Sequence, residues 1–185
     1  GNFQRMLADF PADTLTETIA GFHDTKARFA AFEKAVEEDV CGRAAGVQQE
    51  IRFIKDRYDV ACVLGDLLEA GELPLRVTHN DTKSNNVLMD NTTGKGLCVI
   101  DLDTVMPGLA VNDFGDSIRF GASTGAEDEK DLSKISCDME LYDIYAKGFV
   151  EGCGGALTDM EIECLPIGAK VMTYECGMRF LTDYL

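Results

Sequence analysis

The sequence predicts a mainly helical domain with one small β-hairpin at its centre. Two observations carry that expectation. Apolar residues recur at spacings of three and four over most of the chain. Only two short apolar runs, Val87-Leu-Met89 and Leu97-Cys-Val-Ile100, flank a turn-forming segment, Asp90-Asn-Thr-Thr-Gly-Lys-Gly96. At 185 residues, 45% hydrophobic and 27% charged, the chain has the size and composition of one globular domain with its own core.

Residues 1–23 read as irregular, with Gly1 standing before an internal segment or as an expression remnant. Within them only Thr14-Leu-Thr-Glu17 has the form of a capping box for a short turn. From Asp24 the pattern turns helical through Phe29, Phe32, Ala35, Val36 and Val40. A second helical pattern carries Val47, Ile51, Ile54, Tyr58, Val60, Val63, Leu64, Leu67 and Leu68, and Gly71 stops it. After the hairpin, residues 104–137 are rich in Gly, Pro, Asp and Ser and read as a long functional loop region. Within it the Glu127–Asp131 run reads as a solvated surface loop. Helical spacing returns near Asp138 with Met139, Tyr142, Tyr145 and Phe149, and Gly152–Gly155 ends it. A last helix opens at the capping box Thr158-Asp-Met-Glu161, and Pro166 is expected to break or kink it. Tyr184-Leu185 falls in mid-pattern, so a C-terminal continuation is expected.

Charge and cysteine usage narrow the function classes. A net charge of −16 argues against a nucleic-acid partner, and any bound phosphate then needs a metal or a locally placed Lys or Arg. No apolar run approaches the ~20 residues that cross a bilayer. Seven cysteines, widely spaced and never CxxC, accompany only His23 and His79, which argues against zinc. Buried or half-buried reduced thiols of a cytoplasmic protein are expected.

The chemistry lies around the hairpin. His79-Asn-Asp-Thr-Lys-Ser-Asn-Asn86 fits H-x-D-x-x-x-x-N, a kinase catalytic-loop pattern. Asn86 precedes the first strand and Asp101 follows the second. Antiparallel strands lie about 4.8 Å apart, which sets the two side chains side by side as hard oxygen ligands for Mg²⁺. Asp81 then faces the same cavity as a proton acceptor. Lys83, two residues on, supplies a cation for the γ-phosphate of ATP.

These segments, with Val99-Ile-Asp-Leu-Asp103, resemble the aminoglycoside phosphotransferase and choline kinase superfamily. Gly21-Phe-His-Asp-Thr25, Asp101-Leu-Asp-Thr-Val-Met-Pro-Gly108, Asp113-Phe-Gly-Asp-Ser-Ile-Arg-Phe-Gly121 and the Glu175–Tyr184 stretch, which holds Gly177-Met-Arg-Phe-Leu181, are similar to the N-acetylhexosamine 1-kinases. The likeness covers residues 10–185. It implies that residues 1–185 are the C-terminal, catalytic lobe of a protein-kinase-like fold, without the N-terminal ATP-binding lobe and the C-terminal tail, and inactive alone. It further implies ATP-dependent phosphorylation of GlcNAc or GalNAc at the anomeric hydroxyl. Asp81 would be the base, Asn86 and Asp101 the metal ligands, Asp103 an accessory acid near the metal, and Arg179 with Phe120 the sugar contacts.

Plainer roles stand beside these. His79 is expected to support the metal loop, His23 to be a loop histidine, and Asp103 to brace its own turn. Asp113 and Asp116 resemble the acid cluster of such folds, but Asp residues in Gly-rich loops usually make Asx turns, which is the expectation here. Arg179, four residues after Glu175 on a helix, fits an ordinary ion pair. A kinase of another small alcohol (an aminoglycoside, choline or homoserine) is the nearest alternative. A non-catalytic kinase-like module is opposed by the intact Asp81, Asn86 and Asp101. A sulfatase needs C-x-P-x-R or S-x-P-x-R, whereas Cys164-Leu-Pro-Ile-Gly168 ends in Gly, and that chemistry is rejected.

Overall fold

The computed structural model describes residues 1–126 and 129–185, so the acidic run expected as a surface loop lies outside the described residues at 127–128. Helices α1 (Asn2–Met6), α2 (Thr25–Glu38), α3 (Gln48–Lys55) and α4 (Tyr58–Glu69) come first. Four short strands follow: β1 (Arg76–Thr78), β2 (Val87–Met89), β3 (Gly96–Val99) and β4 (Met106–Gly108). The chain closes with α5 (Ala110–Gly121), α6 (Met139–Cys153) and α7 (Asp159–Tyr184).

Local chemistry explains several helix ends. Asp24 caps α2 by accepting the Ala27 amide at 2.9 Å. Asp138 caps α6 by accepting from Glu140 and Leu141, and Gly154 closes it in the left-handed conformation. The capping box of α7 forms in both directions, Glu161 N to Thr158 Oγ1 at 3.2 Å and Thr158 N to Glu161 Oε2 at 2.7 Å. Glu161 also takes Arg76 bidentately, at 2.5 and 2.7 Å. The start of α7 is thereby clamped to β1, just ahead of the catalytic-loop motif.

The core sits on both sides of α7. On one side Phe29, Phe32, Ile51 and Ile54 pack against Tyr174 and Met178. On the other, Phe114, Ile118 and Leu165 gather Tyr142, Tyr145 and Phe149 of α6. Helices α5 and α7 cross where Gly115 meets Gly168, and a Cβ on either would run into the backbone across the crossing.

Several expectations need correction. The expected loop region 104–137 contains β4 and α5, because its Asp, Asn and Gly residues are buried against partners rather than turned to water. The hairpin β2–β3 forms as expected, with Val87 opposite Val99, but a second antiparallel pair joins β1 to β4. The long helical pattern after Val47 is two helices, parted at residues 56–57. Pro166 does not end α7, which continues as one helix while Leu165 and Gly168 hold it against α5 on either side of the proline. Residues 1–23 begin with α1. Thr14 forms no capping box: its hydroxyl bonds Pro11 O at 2.7 Å, and Glu17 accepts the Gly21 amide at 2.9 Å.

All seven thiols are free, but Cys41, Cys98 and Cys137 are exposed instead of buried or half-buried. Among the described residues no helix is long and apolar enough to cross a membrane.

Candidate active site

The loop between β1 and β2 is held from beneath. Thr78, buried at the end of β1, bonds Met106 O at 3.0 Å. His79 follows, buried, with Nε2 at 3.0 Å from Ile100 O and Nδ1 accepting the Asp81 amide at 3.3 Å. That network puts the ring proton on Nε2, so His79 ties the motif to the end of β3 as a neutral brace. Asn80 adopts φ 64°, and its side chain bonds Thr104 O at 3.0 Å while Thr104 Oγ1 returns a bond to His79 O at 2.6 Å. The catalytic-loop motif and the loop after β3 are thus stitched together. Asp101, at φ 63°, holds a second left-handed conformation, of the kind that gathers at functional sites.

Asp81 is the centre of the arrangement. Its Oδ2 accepts Asn86 Nδ2 at 2.8 Å and Lys83 Nζ at 2.8 Å. Asn86 Nδ2 also bonds Asp81 O at 2.9 Å. One carboxylate oxygen is therefore committed to orienting the group, and among the described residues no hydrogen bond is made to Oδ1. Lys83 and Asp81 keep 33% and 26% of their side-chain surface exposed, so their ion pair is a screened one that a bound phosphate can displace. A cavity of about 510 Å³ opens above them, walled by Asp81, Lys83, Asn86, Ser117, Met89 and Val99.

The amide nitrogen of Asn86 is directed at Asp81, which turns Oδ1 the other way as the atom to offer a cation. The hairpin closes with Ile100 N on Asn86 O at 2.9 Å, so exposed Asp101 follows the residue paired with Asn86. An amide oxygen and a carboxylate are the ligand types Mg²⁺ takes, with waters and phosphate oxygens in its remaining positions. Among the described residues no three His, Cys, Asp or Glu side chains gather as a protein-only metal cage. Exposed Asp103 lies in the turn after Asp101, where its carbonyl accepts Thr18 Oγ1 at 3.3 Å.

The remaining candidates sit elsewhere. Asp101, Asp103, Phe120 and Arg179 do not wall the cavity of Asp81. Phe120 is half-buried in the last turn of α5. Arg179 is exposed on α7, its guanidinium 5.1 Å from the Phe180 ring centre. The expected Glu175–Arg179 pair gives way to another: buried Glu175 accepts Thr25 Oγ1 at 2.5 Å and meets His23 Nδ1 at 2.8 Å. His23 thereby anchors its loop to α7 and is more than a plain loop histidine.

Two further carboxylates belong to the site, and the expected Asx turns are not their role. Asp113 is buried on α5 and accepts His79 N at 3.0 Å, Asn80 N at 2.8 Å and Gln4 Nε2 at 2.8 Å. Burial pushes its carboxyl above the usual range, outweighing the pull of those donors. Asp116, one turn further, accepts Thr82 N at 2.8 Å. Their i,i+3 spacing marks a common face only once a helix is granted. Gln4 had no signal in the sequence; it is buried under the motif, with a second bond to Val77 O at 3.2 Å.

With this geometry in place, one comparison bears on it. The model of the phosphotransferase enzyme family, APH, matches residues 2–145. The matched span runs from α1 into α6 and takes in the catalytic-loop motif, the hairpin, Asp101, Asp113 and Phe120; Arg179 lies beyond it.

Proposed function

Because the chain belongs to the phosphotransferase enzyme family, we propose that it is the C-terminal, catalytic lobe of a kinase-like enzyme that phosphorylates an N-acetylhexosamine such as GlcNAc or GalNAc at its anomeric hydroxyl. ATP is the donor. The observation that carries the reading is the orientation of Asp81, whose Oδ2 is held by Asn86 and Lys83 beside an open cavity.

Asp81 Oδ1 accepts the proton of the attacking hydroxyl as the new sugar O–P bond forms and the bond from the γ-phosphorus to the β,γ-bridging oxygen breaks, releasing ADP. Lys83 moves its charge from Asp81 to the phosphoryl oxygens. Asn86 Oδ1 and the Asp101 carboxylate would hold Mg²⁺, with Asp103 nearby. The ion supplies charge neutralisation at the phosphates. Arg179 and Phe120 would hold the sugar, a role that rests on the resemblance of their segments.

The assay is sugar-dependent ADP release by the full-length protein carrying this chain, with the product identified by phosphorus NMR. GlcNAc or GalNAc 1-phosphate is expected, and Asp81→Asn should lower kcat by roughly 10²–10⁴-fold with the KM for ATP nearly unchanged. Arg179→Ala should act mainly on the KM for the sugar. Residues 1–185 alone should turn over nothing, since adenine would sit against a separate N-terminal lobe. A 6-phosphate product would overturn the 1-kinase assignment, and a fully active Asp81→Asn enzyme would remove that residue as the base.

A further inference from the structure

We infer that Asp116, acting through Thr82, is a positioning residue for the pair Asp81 and Lys83; this rests on the phosphotransferase reading above. Thr82 stands between those two residues, so whatever fixes its backbone fixes both of their Cα atoms. Asp116 Oδ2 accepts the Thr82 amide at 2.8 Å. The Thr82 hydroxyl lies 2.6 Å from Asp113 O and 3.3 Å from Asp116 Oδ2, and its single proton goes to the nearer carbonyl. The amide bond is therefore the link that matters.

The carboxylate is itself held from the other side. Arg119 Nε and Nη2 reach Asp116 Oδ1 at 3.1 and 2.9 Å, and the side chains of both residues are largely buried. A carboxylate suits this place because donors approach each of its oxygens from opposite directions. An amide could accept from only one of them.

Two acids three residues apart on α5 thus divide the loop between them. Asp113 takes His79 and Asn80 on the upstream side of Asp81, and Asp116 takes Thr82 on the downstream side. Their surroundings differ. Asp113 is 2% exposed and also gathers Gln4 of α1, so it supports the fold. Asp116 is 9% exposed, its partners among the described residues are Thr82 and its own helix neighbour Arg119, and Thr82 and Ser117 beside it wall the cavity. Losing Asp116 frees the short stretch that carries the base and the phosphate-facing lysine while the core remains. Displacement of reacting groups by about 1 Å can cost on the order of 10²-fold in rate.

The test compares Asp116→Ala and Asp116→Asn in the full-length enzyme by kcat, both KM values, thermal unfolding and amide exchange. Asp116→Ala should lower kcat by roughly 10–10²-fold with both KM values within about threefold. Asp116→Asn, which keeps an oxygen for the Thr82 amide, should recover part of that loss. If Asp116→Ala does not fold, Asp116→Asn decides, and a wild-type kcat there overturns the inference. A kcat in Asp116→Ala within about twofold of wild type also overturns it, as does a loss that only tracks the unfolded fraction. If the wild-type enzyme phosphorylates no sugar or other alcohol, the function reading has failed separately. The inference then stands or falls on whether the Thr82 amide exchanges faster in Asp116→Ala than in wild type.

Discussion

Replacing Asp113 by Asn changes one oxygen into an amide nitrogen, yet the geometry makes it a costly exchange. Oδ2 accepts both Gln4 Nε2 at 2.8 Å and His79 N at 3.0 Å, while Oδ1 accepts Asn80 N at 2.8 Å. An amide whose oxygen stays on Gln4 and His79 turns its NH₂ group on the Asn80 amide. One buried donor loses its acceptor and faces another donor, at about 1–3 kcal/mol. Burying a neutral amide is cheaper than burying a carboxylate and offsets part of this, leaving about 1–2 kcal/mol. For a chain of this size that corresponds to a fall in Tm of roughly 2–8 °C, by about 2–4 °C per kcal/mol. Circular dichroism melts of the wild-type and variant chains give the shift. Amide exchange at Asn80 should rise by a larger factor than exchange in α2. A Tm within about 1 °C of wild type would show that the Asn80 amide finds another partner, and the anchoring role would be wrong.

The other expectations concern the metal, the helix crossing and a cap. Asp101→Asn in the full-length enzyme should raise the Mg²⁺ concentration needed for half-maximal rate, read from a Mg²⁺ titration of ADP release, while the melting curve stays near wild type. Gly168→Ala drives a methyl group into the Val111 carbonyl, where neither backbone can yield without parting α5 from α7. A loss of about 1–3 kcal/mol in urea unfolding is expected, and an unchanged midpoint would show that the crossing opens freely. Thr158→Ala should cost only about 1 kcal/mol by the same measurement, because Glu161 keeps Arg76 when the cap is gone.

What could be read from the sequence is what depends on neighbours along the chain. The caps at Asp24, Asp138 and Thr158 are each made by a side chain and an amide two or three residues away; the Thr158 cap was expected as such, and the other two stand where helical spacing was expected to begin. The β2–β3 hairpin is set by its own turn residues. The spacing from Asp81 to Asn86 is similarly short, and it brings the amide of one onto the carboxylate of the other.

What escaped the sequence depends on partners far along the chain. Helix α5 opens with Ala-Val-Asn-Asp-Phe-Gly-Asp, residues that on local propensity alone favour a turn. It is helical because Phe114 fills the core, Gly115 lets α7 approach, and Asp113 and Asp116 find donors in the catalytic-loop motif. The same reasoning covers Pro166, whose lost bond is outweighed by packing on both of its flanks. It also covers Glu175, which takes His23 and Thr25 of the chain's first third instead of the arginine one turn away. Local chemistry is settled by groups the backbone already holds close. A buried polar group instead takes whichever partner folding leaves beside it, because desolvation makes the unpartnered state the costly one.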